Sequence, residues 1–183
     1  RPSANARQPR ARESLDVQTH PALERNAGSI NDFANSIRAM RRHEIERIGL
    51  GWMSGVIDDK ASLAGMTDVY DTAIDASLTW AIRHQTQEMG LDEAPAAIAV
   101  IGMGRYGGRE VNFSSDADVI IIYRPSDNAD DNQANLFARK VQEDLRAILQ
   151  GPTTLDPKIE LAMDLRPEGK TAPLVRSYAS CDE

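Results

Sequence analysis

The order of apolar and polar positions divides the chain into three stretches. Residues 1–19 are polar and aperiodic, which predicts a disordered linker or tail. From Ser29 apolar residues return at spacings of three and four (Ile30, Phe33, Ile37, Met40), the rhythm of one helix face. The rhythm resumes at Ile45, Ile48, Trp52 and Val56, slipped by one residue and interrupted by Gly49 and Gly51. A second helix is expected over 66–89, with Met66, Tyr70, Ile74, Leu78 and Ile82 on one stripe and Gly90 placed to end it. The charged positions between (Arg38, Arg41, Arg42, Glu44, Glu46, Arg47) read as a solvated face.

After Pro95 the period changes. Residues 96–101 and 119–123 are short continuous apolar runs, as in strands buried on both faces. A polar loop over 126–131 follows. The helical pattern of 134–149 (Leu136, Val141, Leu145, Leu149) would end at Gly151-Pro152, and 159–165 reads as a third strand stopped by Pro167. Helices followed by β–β–α–β predict an α+β or α/β domain behind a helical arm. The expected division is 1–19 linker, 20–94 helical arm and 95–183 core, with no internal repeat.

Composition narrows the function classes. With 41% hydrophobic and 27% charged residues the chain reads as a soluble globular protein, and its few aromatics leave the core to aliphatic side chains. No apolar run is long enough to span a bilayer and no signal-type segment stands at the N-terminus, so a cytoplasmic protein without a membrane partner is expected. The single cysteine, Cys181, excludes a disulfide framework and a cysteine-based zinc site. A net charge of −7 argues against nucleic acid, which needs a basic face. Arg1, Arg7, Arg10 and Arg12 make only the first residues basic, in keeping with a tail. Both ends look like cuts through a longer protein. His20, His43 and His84 fit no ligand or base pattern and are expected on surfaces or helix faces.

The candidate chemistry lies in 101–123, IGMGRYGGREVNFSSDADVIIIY. Gly102-Met-Gly-Arg-Tyr-Gly107 satisfies G-x-G-x-x-G after a predicted strand, the form of a dinucleotide-binding turn. That reading needs a crossover helix before the next strand and an acidic residue about twenty positions on. Instead a short polar segment leads to two aspartates at the start of the next strand. Alternate strand residues point to one side, so Asp116 and Asp118 should project together. Adjacent carboxylates repel unless a cation offsets them, and Mg²⁺ favours carboxylate oxygens shared with substrate phosphates. Gly104 and the turn after it can offer backbone N–H groups to a phosphate.

Gly104-Arg105, ten residues, then Asp116-Ala-Asp118 resembles the nucleotidyltransferase signature of polymerase-β-like enzymes. The longer string resembles the glutamine synthetase adenylyltransferase family, with its G-x-G-[KR]-x-G-G-x-E-[LV] and N-[FY]-x-S-D-x-D. Gly102, Gly104, Arg105, Gly107, Gly108, Glu110, Val111, Asn112, Phe113, Ser115, Asp116 and Asp118 stand at those places. Leu165-Arg-Pro-Glu-Gly169 and Pro173-Leu-Val175 match a second family element, L-R-P-x-G followed by P-L-V. The resemblance implies an α+β core of polymerase-β type, a small mixed sheet with helices. It implies an ATP- and Mg²⁺-dependent bacterial enzyme that adenylylates a tyrosine of glutamine synthetase or removes that group by phosphorolysis, this chain holding one of two halves. A signalling protein of the nitrogen-regulatory type is an implied partner through the full-length protein. Asp116 and Asp118 would hold the metal, and Gly102, Gly104, Arg105, Gly107, Gly108, Ser114, Ser115 and Arg166 would contact the nucleotide.

One position departs from the family. A third carboxylate usually sits three residues before the L-R-P, where this chain has Ala162. Asp164, two residues on, is the expected substitute as the third catalytic carboxylate. Without one, the alternative is a regulatory domain that binds nucleotide with weak or no catalysis.

Overall fold

In the computed structural model, which describes residues 7–26, 28–127, 129–151, 158–163 and 175–178, the first half of the chain is helical. Helix α1 (Arg12–Arg25) occupies part of the stretch expected to be linker. It carries little apolar surface, yet Leu15, Thr19 and Ala22, one residue per turn, are buried. Arginines fix its place. Arg12 meets Asp71 at 3.0 Å and Asp16 at 3.8 Å, and Arg10, just ahead of the helix, meets Glu44 at 3.2 Å. Arg10 and Arg12 are thus paired with acidic residues of α1 and the following helices. The linker expectation is therefore corrected from Arg12 onward, while residues 1–6 lie outside the described residues.

Helix α2 (Ile30–Met53) starts where Ser29 accepts the Asp32 N–H at 3.3 Å, a side-chain cap. It runs on through Gly49 and Gly51, so the two predicted pieces are one helix. Burial of Phe33, Ile37, Met40 and Ile48 offsets the cost of about 1 kcal/mol that each interior glycine imposes. Helix α3 (Asp59–Glu88) begins earlier than the predicted residue 66, because Asp58 caps it through the Ala61 N–H at 2.7 Å. Phe33 of α2 stacks on Trp80 of α3 with ring centroids 5.5 Å apart. The charged face of α2 is not wholly solvated: Arg41 and Glu44 are 3% and 1% exposed. Glu44 is covered by Arg10 and Arg47, and the Arg41 guanidinium lies 5.9 Å from the centre of the Tyr70 ring. Ion pairing and a cation–π contact make that burial tolerable.

Strands β1 (Ala96–Gly102) and β2 (Ala117–Pro125) are antiparallel, in register from Ala96↔Pro125 to Gly102↔Val119. That direction rules out the dinucleotide crossover, which requires parallel strands. Helix α5 (Asp131–Gln150) is capped by Asp130 through the Gln133 N–H at 3.0 Å. Two short strands, β3 (Leu161–Ala162) and β4 (Val175–Ser177), then lie parallel to β2 along its other edge, β3 at its start and β4 further along. The predicted third strand is thus shorter among the described residues, and β4 is additional. The result is an α+β arrangement, helices followed by a small mixed sheet with helices. Phe137, Val141 and Leu145 of α5 are buried at the sheet, and α3 packs against α5 from beyond it. The opposite sheet face is open: Ile101 is 42% exposed, and Ile120 and Ile122 are half-buried. The expectation of strands buried on both faces is corrected, since among the described residues only one face has a helical cover. No described helix is long and apolar enough to cross a membrane.

Candidate active site

Between β1 and β2 the chain reverses through the four-residue helix α4 (Gly104–Gly107). Gly104 has φ +51°, and a Cβ there would run into the carboxylate of Asp118. Glycine alone lets the backbone lie against that carboxylate without strain. The contact is locked by the Met103 N–H, which donates to the Asp118 carbonyl at 2.8 Å. Gly107 packs so closely on Gly102 that a Cβ would strike its carbonyl, while its N–H donates to the Met103 carbonyl at 2.7 Å. Gly108 caps the turn, and the exposed Arg105 accepts the Glu110 N–H at its carbonyl at 2.8 Å.

Helix α3 anchors this turn. Tyr106 is buried and its hydroxyl donates to Asp71 at 2.7 Å. Burial and that hydrogen bond push the hydroxyl pKa well above its ordinary value. Arg109 sits at φ +59°, an unfavourable angle for a non-glycine residue, and is tied to Asp68 at 2.6 Å and Asp71 at 3.6 Å. These bonds raise the Arg109 pKa, the Asp68 hydrogen bond most.

The return path to β2 is built by side chains gripping backbone. Asn112 accepts the Ser114 N–H at 2.9 Å and the Ser114 hydroxyl at 3.1 Å, and its own N–H donates to the Ser115 hydroxyl at 3.1 Å. Tyr70, from α3, donates its hydroxyl to the Ser115 carbonyl at 2.8 Å. Burial raises the Tyr70 pKa; Arg41 opposes the shift and Asp116 adds to it. The residue before Asp116 is therefore tied to the helical layer. A cleft of about 400 Å³ opens here, lined by Tyr70, Phe113, Ser114, Ser115, Asp116, Lys158 and Glu160.

Asp116 stands one position before β2 and is exposed; Asp118 is within the strand and half-buried. Ala117 and Val119 are buried, so by strand alternation both aspartates belong to the open face. Neither is in an ion pair among the described residues. Ala162, where the resemblance led to the expectation of a third carboxylate, is the register partner of Asp118. Asp164 and Arg166 lie outside the described residues. Among the described residues no three His, Cys, Asp or Glu side chains group closely enough to hold a metal ion. Two unpaired carboxylates remain, the number Mg²⁺ commonly takes from a protein when substrate phosphates and water complete its shell.

Sequence reasoning placed Tyr70 on an apolar stripe and missed its hold on Ser115. It also passed over Lys158 and Glu160, although the alternation there was available: Ile159, Leu161 and Met163 are buried while Lys158 and Glu160 are exposed. Of the histidines, His20 and His43 are exposed. His84 stacks on Trp80 and meets Asp144 of α5 at 2.8 Å, joining two helices.

Comparison with known proteins adds the lineage. The chain is 74% identical over 176 residues to the bifunctional glutamine synthetase adenylyltransferase/adenylyl-removing enzyme of Bifidobacterium longum, covering 96% of this chain and 16% of that protein. The enzyme of the same name from Mycobacterium tuberculosis is 41% identical over 143 residues, 78% of this chain and 14% of the relative. That of Mycolicibacterium paratuberculosis is 37% identical over 183 residues, 96% and 18%. The chain thus spans only about a sixth of the length of these curated relatives. The profile of the glutamate-ammonia ligase adenylyltransferase family matches residues 2–183. The chain belongs to that family.

Proposed function

We propose that this chain forms one nucleotidyltransferase half of a protein-modifying enzyme, with a core of polymerase-β type. It transfers AMP from ATP to a tyrosine of glutamine synthetase, or removes that AMP by phosphorolysis. The observation that carries the reading is the seat of Asp118: its carboxylate lies against Gly104 at φ +51°, and Asp116, two residues before it, lines a cleft. A turn whose glycines bring backbone close to the carboxylate, and a pair of carboxylates in no ion pair among the described residues, suit a triphosphate and its metal together. Asp116 and Asp118 are the residues that would hold Mg²⁺, which when bound neutralises charge on the phosphates. The glycine turn would offer its backbone N–H groups to a phosphate. Arg105, exposed on the same turn, adds a positive charge, and Tyr70 keeps the Ser114–Asp116 rim in place.

Ala162 beside Asp118 favours one other reading, a domain that binds nucleotide and turns it over weakly or not at all. The two separate in one assay. The complete protein is incubated with purified glutamine synthetase and ATP labelled at the α-phosphate, and in parallel with adenylylated glutamine synthetase and orthophosphate. Label on a tyrosine, or release of ADP, is the expected result. Nucleotide binding without either product would establish the second reading.

A further inference from the structure

The cleft beside Asp116 holds a second carboxylate that the site has not used. Residues 158–163 alternate, with Ile159, Leu161 and Met163 inward and Lys158 and Glu160 outward, so Glu160 shares the open face with Ala162. The register pairs Ala117 with Leu161 and Asp118 with Ala162, which carries Glu160 to the level of Asp116. The Ala117 N–H donates to the Glu160 carbonyl at 2.8 Å and fixes that level. Glu160 and Asp116 line the same cleft of about 400 Å³. Glu160 is exposed and in no ion pair among the described residues. In the cleft its charged and titratable neighbours are Asp116 just before β2, Lys158 from its own segment and Tyr70 from α3, and Asp118 of β2 stands opposite Ala162, two residues on.

We propose that Glu160 is the third catalytic carboxylate, displaced by one alternation along the strand from Ala162. The inference rests on the nucleotidyltransferase reading above. In the transferring direction the acceptor hydroxyl donates its proton to Glu160 as its oxygen bonds to the α-phosphorus; the bond from that phosphorus to the bridging oxygen breaks and pyrophosphate leaves. In the removing direction an orthophosphate hydroxyl gives its proton to Glu160 as its oxygen bonds to the α-phosphorus, the bond to the tyrosine oxygen breaks, and that oxygen takes the proton back from Glu160. Lost acid–base assistance of this kind costs on the order of 100-fold or more in rate.

The test measures kcat, and KM for ATP, of the complete protein carrying Glu160→Gln, Asp164→Asn, or Glu160→Gln with Ala162→Asp. Binding of a fluorescent ATP analogue is read on each. Glu160→Gln is expected to lower kcat about 100-fold with KM and analogue binding near wild type, and Ala162→Asp to restore at least tenfold of the loss by returning a carboxylate to the place beside Asp118. Full activity in Glu160→Gln, or the whole loss appearing instead in Asp164→Asn, overturns the proposal. A fall in analogue binding without rescue overturns it too, since Glu160 would then serve the fold or the nucleotide. In each of those cases the wild type still transfers AMP; a wild type that transfers and removes nothing would sink the underlying function as well.

Discussion

At Gly104 backbone and chemistry depend on the same missing atom. The positive φ costs about 1–2 kcal/mol for a residue with a Cβ, and the added methyl must also displace the Asp118 carboxylate. Gly104→Ala should therefore lose about 1–2 kcal/mol in thermal or denaturant unfolding and nearly all nucleotidyl transfer. Tyr70 works at one remove. Tyr70→Phe deletes the hydrogen bond to the Ser115 carbonyl and leaves that acceptor without its partner, at about 1 kcal/mol. It should lower kcat more than it changes KM for ATP, because it loosens the rim that carries Asp116 and not the glycine turn. At this scale the sequence was most legible where spacing is the signal. Gly104, Asp116 and Asp118 stand out by type and interval, whereas the contacts of Tyr70 and Glu160 depend on which element faces which.

Elements were legible in proportion to their apolar periodicity. The stripes of α2, α3 and α5 announced themselves, and their starts shifted where Asp58 and Asp130 supply caps. Helix α1 was missed because its buried face is one small or aliphatic residue per turn and its attachments are arginines, a pattern that matches a polar tail. Leu15→Ala tests the correction. Leu15 is fully buried, so its truncation should cost about 3 kcal/mol, within the range of core leucine deletions, and a tail residue would cost nothing. The junction of α3 with the glycine turn has a pH signature. Tyr70 and Tyr106 hold their protons above the ordinary phenol value of 10.0. The protonated forms favour the fold, so that contribution is complete below pH 10 and is lost as pH rises through the folded values. Stability should fall above about pH 10, and Tyr106→Phe should flatten the decline; a flat profile in the unaltered protein would contradict the buried contacts.

Across the whole molecule, helices lead into a small mixed sheet whose one face is covered by helix and whose other carries the aspartates. The sequence indicated the succession of element types, but not that the continuous apolar runs of β1 and β2 would leave a face open. A run of apolar residues does not say how many faces have partners. The short β3 and β4 carry too few residues for periodicity to mark their ends, and their pairing with β2 comes from the tertiary fold. The proposed nucleotidyl transfer rests on family membership and the seat of Asp118, and the proposal reduces to two side chains. In the complete protein, Asp116→Asn and Asp118→Asn should each abolish transfer of α-labelled AMP to glutamine synthetase, and its removal, while the protein stays folded. Undiminished transfer in both variants would contradict the assignment of the site.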